Sequence, residues 1–166
     1  MKPTDKQRLA LLTAYADETE LVEDQDPEFG MSPRTVQSLV QAGLIAPCEE
    51  SDEDSYQITP AGKEALGAVW PHGRVPKTFR AAARQAMEAL GVDLSEAELK
   101  RPSDMPQTWY SDAAECDFTE AKLVVVGALC DNVEVTWSAV ATMLTEAGFA
   151  CYATMLRNIV VFWPED

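Results

Sequence analysis

Apolar residues recur along this chain with more than one period, and each period predicts an element. In TDKQRLALLTAYADE, Leu9, Leu12 and Ala16 return at helical spacing with Leu11 and Tyr15 alongside. Thr4 stands three residues before Gln7, the spacing of a capping box, so a first helix is expected here. SPRTVQSLVQAGLI predicts another. Ser32 is an N-cap type, and Pro33 takes the first helical position, where a missing N–H costs nothing. Val36, Leu39 and Val40 form the buried stripe, and Gly43 suits the left-handed position past the end. Leu44 and Ile45 open an extended segment. Ser55 to Ile58 then reads as a strand, and Thr59 caps a helix starting at Pro60, with Leu66, Val69 and Trp70 offered to the core.

The succession of a helix, TVQSLVQAGLI, a polar hairpin and YQITPAGKEAL resembles the winged helix-turn-helix regulators, MarR-like in the broad sense. In that group a helix ending in Gly-Leu-Ile leads into a wing. The return strand is commonly Tyr-x-Leu-Thr followed by x-x-Gly. Tyr56, Ile58, Thr59 and Gly62 match that pattern, with Ile for Leu, and the resemblance covers about residues 4–70. It implies a helix–helix–recognition helix–hairpin–helix unit. The recognition helix would run from Ser32 to Gln41 and present Arg34, Thr35, Gln37, Ser38 and Gln41 to base edges or phosphates. The same side chains equally suit a solvated helix face. The departure from the family is the wing itself. DNA-contacting wings usually carry Arg or Lys, whereas this one carries Glu49, Glu50, Asp52, Glu53 and Asp54 and no base. Either this wing points away from DNA, or DNA is not the partner. A loop tip without a role is the plain alternative.

Beyond residue 70 the pattern is mixed. Thr78 caps a predicted helix through Leu90 that Gly91 ends. Ser95 with Glu98 repeats the capping-box spacing and predicts a short helix. Pro102 and Pro106 mark a loop, the best-signalled boundary within the chain. Three consecutive valines in KLVVVGALC favour a strand over Lys122–Cys130, with a helix kept as the alternative. Trp137, Val140, Leu144 and Ala147 recur at helical spacing between Thr136, a cap, and Gly148, a stop. FACYATMLRNIVVFW reads as a strand pair turning near Arg157 and Asn158. The fold class expected is therefore α+β. A winged helix over 1–70 is followed by a helical, locally basic connector over 71–109. A small unit over 110–166 follows, ordered strand–helix–strand–strand, or a second winged helix if Lys122–Cys130 is helical. Trp137, Phe149, Phe162 and Trp163 are assigned to the core rather than to a binding box.

Charge changes what this scaffold is expected to do. The 166 residues carry 28 acids against 13 bases, a net of −15. Residues 1–70 hold 14 acids and 5 bases, and residues 110–166 hold 9 and 2, while 71–109 are close to neutral with 5 and 6. Such a surface repels phosphate backbones and attracts basic proteins, although acidity is also a common route to solubility. Arg74, Lys77, Arg80 and Arg84 are the exception, with no acid between His72 and Met87. These four cations, with Arg80 and Arg84 one turn apart, could contact phosphate, or dock on acidic surface of the same chain or a twin subunit.

The familiar catalytic and metal-binding patterns are absent one by one, and only a hydrolase using carboxylates alone stays open. Asp24 opens an acidic run, but a calcium loop starting there would need Gly at its sixth position and Glu at its twelfth, where the chain has Phe29 and Thr35. Cys48, Cys116, Cys130 and Cys151 are widely spaced without a C-x-x-C pair, so reduced thiols and no zinc site are expected. The single histidine, His72, has no neighbouring cysteine to activate. No phosphate-cradling glycine loop or hydrolase motif is present. No apolar run approaches the roughly 18 residues of a membrane helix. Arg8–Glu18 fits an amphipathic helix better than a signal-peptide core, which gives a cytoplasmic expectation. The expectation is a non-enzymatic interaction protein without cofactor, in its sharp form a DNA mimic of anti-CRISPR or anti-restriction type that binds a basic nucleic-acid-binding protein. The alternative is a dimeric DNA-binding transcriptional regulator using Ser32–Gln41. Homodimerisation is left open.

Overall fold

The computed structural model describes residues 2–16, 21–22, 32–49, 55–104, 120–156 and 159–165. The chain divides into two compact units, Met1–Val69 and Trp70–Asp166. Both combine helices with a small antiparallel sheet, which makes the protein α+β.

The first unit runs α1 (Asp5–Ala16), β1 (Leu21–Val22), α2 (Pro33–Gln41), β2 (Ile45–Pro47), β3 (Ser55–Ile58) and α3 (Pro60–Leu66). The capping box at the start of α1 forms: Thr4 N–H donates to Gln7 Oε1 at 2.9 Å, and Gln7 N–H donates to Thr4 Oγ1 at 3.2 Å. The buried side of α1 is broad, with Ala10, Leu11, Leu12, Ala14 and Tyr15 all enclosed, and it packs against α2, α3 and β3. Val36 and Leu39 of α2, then Leu44, Ile45 and Leu66, complete this core. Val69, which the apolar pattern offers to the core, is instead 48% exposed, because α3 stops at Leu66 and Gly67 turns the chain at φ 91°. The sheet order is β1-β3-β2, all antiparallel.

The second unit contains α4 (Phe79–Ala89), β4 (Glu98–Lys100), β5 (Leu123–Val126), α5 (Val133–Glu146), β6 (Cys151–Leu156) and β7 (Ile159–Pro164). Its sheet order is β4-β5-β7-β6. The valine run is a strand, so the last third follows the strand–helix–strand–strand order. α4 packs on α5, and β4 pairs with β5, so the segment with connector-like composition supplies a helix and an edge strand to this unit. Phe162 anchors the core at ring-centroid distances of 6.0 Å from both Phe79 and Trp137, in edge-to-face arrangements. Phe149 meets Phe79 at 5.9 Å, and Trp163 Nε1 donates to Thr154 Oγ1 at 2.8 Å. Val124 and Val161 are fully buried on the opposite face of the sheet from Phe162, so both faces are enclosed there.

Two further expectations are corrected. The Ser95–Glu98 spacing does not make a helix. Ser95 N–H donates to Asp93 Oδ1 at 2.9 Å, closing a turn, and Glu98–Lys100 leave it as β4. The Ser95 hydroxyl and N–H hold the Asp93 carboxyl below its usual range. Pairing of Leu99 opposite Val125, with Leu99 buried, outweighs the local capping signal. Thr136 is not the cap of α5 either. That position falls to Asn132, in a left-handed conformation at φ 51°, while the buried Thr136 hydroxyl donates to Asp131 O at 2.9 Å.

Candidate functional site

α2 is fixed at both ends by groups visible in its sequence. Ser32 Oγ accepts from Thr35 N at 3.3 Å, and Pro33 opens the helix. At the far end Gly43, at φ 75°, forms a Schellman turn: Gly43 N–H donates to Val40 O and Leu44 N–H to Leu39 O, both at 3.0 Å. That turn is held in turn by α3. The Thr59 hydroxyl donates to Gly43 O at 2.7 Å, Thr59 N–H donates to Leu44 O at 3.0 Å, and Thr59 Oγ1 accepts from Gly62 N at 3.0 Å. Gly62 lies directly under the Leu44 carbonyl, and a Cβ there would stand 2.7 Å from Ile58 Cγ1. The Thr-x-x-Gly pattern is thus explained by packing: it clamps the end of α2 to the start of α3.

The clamp decides which α2 side chains remain available. Gln7 Nε2 donates to Ser38 Oγ at 3.2 Å, and the Ser38 hydroxyl donates to Thr35 O at 2.8 Å, so Ser38 is half-buried against α1. Thr35 Oγ1 shares a hydrogen bond with Ser32 Oγ at 3.0 Å. Arg34, Gln37 and Gln41 are left exposed, at the i, i+3, i+7 spacing of one helix face. Beside them a shallow groove of about 270 Å³ is lined by Pro33, Val36, Gln37, Val40 and Tyr56 of β3. Arg34 is the single base between Leu9 and Gly62.

The sheet register assembles a feature that no single stretch of sequence reveals. Val22 pairs with Ser55 and Pro47 with Tyr56, so β1 and β2 end where β3 begins. The chain runs on from Val22 into Glu23, Asp24, Asp26 and Glu28, and from Pro47 into Glu49, Glu50, Asp52, Glu53 and Asp54. Both acidic runs therefore attach at one end of one small sheet. β1 and β2 flank β3, so their exits are about 10 Å apart, two strand spacings. Glu49 is exposed in the turn after β2; Glu50, Asp52, Glu53 and Asp54 lie outside the described residues, as does the Asp24 run. The contribution of residues 23–28 is missed by reading motifs, because the strand that anchors it is only two residues long.

In the second unit Arg74, Lys77, Arg80 and Arg84 are all exposed. Arg80 and Arg84, one turn apart on α4, are exposed at the border of its buried stripe of Ala82, Ala83, Ala86 and Met87, and Arg84 lies 4.0 Å from Glu88. Cys48, Cys130 and Cys151 are in no disulfide, Cys48 and Cys130 half-buried and Cys151 buried, while Cys116 lies outside the described residues. Among the described residues no group of three His, Cys, Asp or Glu is placed to hold a metal, and no helix is long and apolar enough to cross a membrane.

No family model, curated protein or solved structure matches the chain.

Proposed function

We propose that this chain is a non-enzymatic, acidic interaction protein built on a winged helix, and that its acidic sheet end binds a basic, nucleic-acid-binding protein. The β1-β3-β2 order, with α2 leading into the β2–β3 hairpin, supports the winged-helix reading, with α2 as recognition helix and the hairpin as wing. The observation that carries the partner assignment is the register that attaches two acidic runs, nine carboxylates without a base, to one end of the sheet. A DNA groove lined by phosphates repels such an end, and a basic groove that normally holds DNA attracts it. In this reading the protein is a DNA mimic of anti-CRISPR or anti-restriction type. The test is competition: the purified chain displaces DNA from a basic nucleic-acid-handling enzyme. Replacing Glu49, Glu50, Asp52, Glu53 and Asp54 by their amides weakens that displacement at least tenfold. Displacement unchanged by that variant, and again unchanged after amidation of residues 23–28, refutes the assignment.

One observation favours a second reading. Arg34, Gln37 and Gln41 are exposed together on α2, the face a DNA-binding winged helix uses. A transcriptional regulator built this way binds its own promoter in a mobility-shift assay at low salt, where electrostatics are strongest. No shift at low salt removes this reading.

A further inference from the structure

The two edges of the second unit's sheet are built differently. β4 is three residues long and carries Glu98 and Lys100, paired at 3.1 Å. Short, charged edges resist pairing with another chain. β6 at the other edge is six residues, Cys-Tyr-Ala-Thr-Met-Leu, with no charge and no proline. No strand lies on its outer side among the described residues. Tyr152 is 48% exposed along it.

The register says which backbone groups point outward. Glu165 N–H donates to Ala150 O, so that pair is one in which opposite residues exchange hydrogen bonds. Such pairs alternate along an antiparallel ladder. Tyr152, Thr154 and Leu156, opposite Trp163, Val161 and Ile159, therefore turn their backbone groups toward β7, and Cys151, Ala153 and Met155 turn theirs away. Cys151 is already satisfied: its N–H donates to Thr145 Oγ1 at 3.4 Å, and the Thr145 hydroxyl donates to Cys151 O at 3.3 Å. The groups left for a partner are the N–H and C=O of Ala153 and Met155.

We propose that β6 pairs antiparallel with β6 of a second copy of this chain, in a register centred on Thr154. A two-fold axis there sets Ala153 opposite the partner's Met155 and Met155 opposite the partner's Ala153, so that all four outward groups on each copy are satisfied together. The Thr145 cap on Cys151 sets one limit of the paired stretch. Charge selects a second copy as the occupant. A protein at −15 repels itself over most of its surface, and β6 is an uncharged strip where two copies can approach without placing like charges opposite one another. The antiparallel arrangement is self-complementary, as a two-fold dimer requires. The inference is independent of the acidic end of the first unit.

The experiment is sedimentation velocity on the full chain over a hundredfold concentration range. The expected result is reversible dimerisation. Met155→Pro removes an outward N–H without touching the β7 ladder and shifts the chain to monomer, with near-UV circular dichroism reporting that the fold is kept. Thr154→Cys supplies a measurement independent of that substitution's tolerance. In a chain with Cys48, Cys116 and Cys130 changed to Ser, Thr154 and its symmetry mate face each other at a non-hydrogen-bonded position about 4.5–5.5 Å apart, within disulfide range. Mild oxidation then links Thr154→Cys chains into covalent dimers, and Tyr152→Cys chains do not link. A monomer at every concentration overturns the proposal. A dimer that persists in Met155→Pro, or that links through Tyr152→Cys and not Thr154→Cys, overturns it as well.

Discussion

Replacing Gly62 by alanine tests the clamp between α2 and α3. Gly62 is in the first turn of α3, where alanine is favoured over glycine by about 1 kcal/mol on helix propensity alone. Against that, the new methyl group would meet backbone, the Leu44 carbonyl, as well as Ile58 Cγ1 at 2.7 Å. Forcing a group into a filled space costs about 1–3 kcal/mol. Relief of the clash moves Leu44 away from α3 and endangers two hydrogen bonds, Thr59 N–H to Leu44 O and Thr59 hydroxyl to Gly43 O, each contributing about 1 kcal/mol. The net expectation is a loss of about 2–3 kcal/mol, a large part of what a unit of this size has. Gly43→Ala is the control. A Cβ at Gly43 touches nothing, and its φ of 75° costs only about 1–2 kcal/mol of left-handed strain. Urea unfolding followed by amide hydrogen exchange, read separately for α1, α3 and α5, measures both variants. Gly62→Ala lowers protection in α1 and α3 more than Gly43→Ala does and leaves α5 unchanged. A Gly62→Ala protein within 0.5 kcal/mol of wild type, a threshold about the size of an ordinary surface substitution, would refute the reasoning.

Thr59→Val removes both the cap of α3 and its bond to Gly43 O, and is expected to cost about 1–2 kcal/mol in the same urea titration. Phe162→Ala, at the meeting of Phe79 and Trp137, costs about 3–5 kcal/mol and lowers protection in α5 and β5 but not α1. Burial pushes the Cys151 thiol up to about 11, so at pH 8 it reacts with iodoacetamide far more slowly in the folded protein than in the urea-unfolded chain. The linkage has a definite sign. Above pH 9 an unfolded Cys151 loses its proton while the folded one keeps it, so stability falls as pH rises from 9 toward 11. Cys151→Ala flattens that part of the stability–pH curve; an unchanged slope refutes the assignment.

Signals confined to one turn of chain are the ones that sequence reveals. The caps at Thr4, Ser32, Thr59 and Thr78 all form, because each needs only a side chain and an N–H three residues on. The valine run of β5 is legible for a similar reason: it is apolar on both faces, and both faces are enclosed. Local signals fail where a distant partner competes. Ser95 and Glu98 offer a helix start, but Leu99 pairs with β5, some 26 residues away in sequence. Thr35 and Ser38 look as outward as Arg34 in the sequence, yet Gln7, on another helix, draws Ser38 inward. The acidic end of the first sheet is the clearest case. Either run read alone is a charged loop, and only the Val22–Ser55 and Pro47–Tyr56 pairings show that the two share an origin.

In the first unit, folding and charge are carried by different residues. Its described acids, Asp5, Glu49 and Glu64, are all exposed, and none of its described buried side chains carries a charge. Carboxylates can accordingly be gained or lost by mutation with little effect on the apolar contacts that hold the unit together. If the acidic end binds a partner as proposed, a lineage can therefore retune its strength over many generations while the scaffold beneath it stays the same.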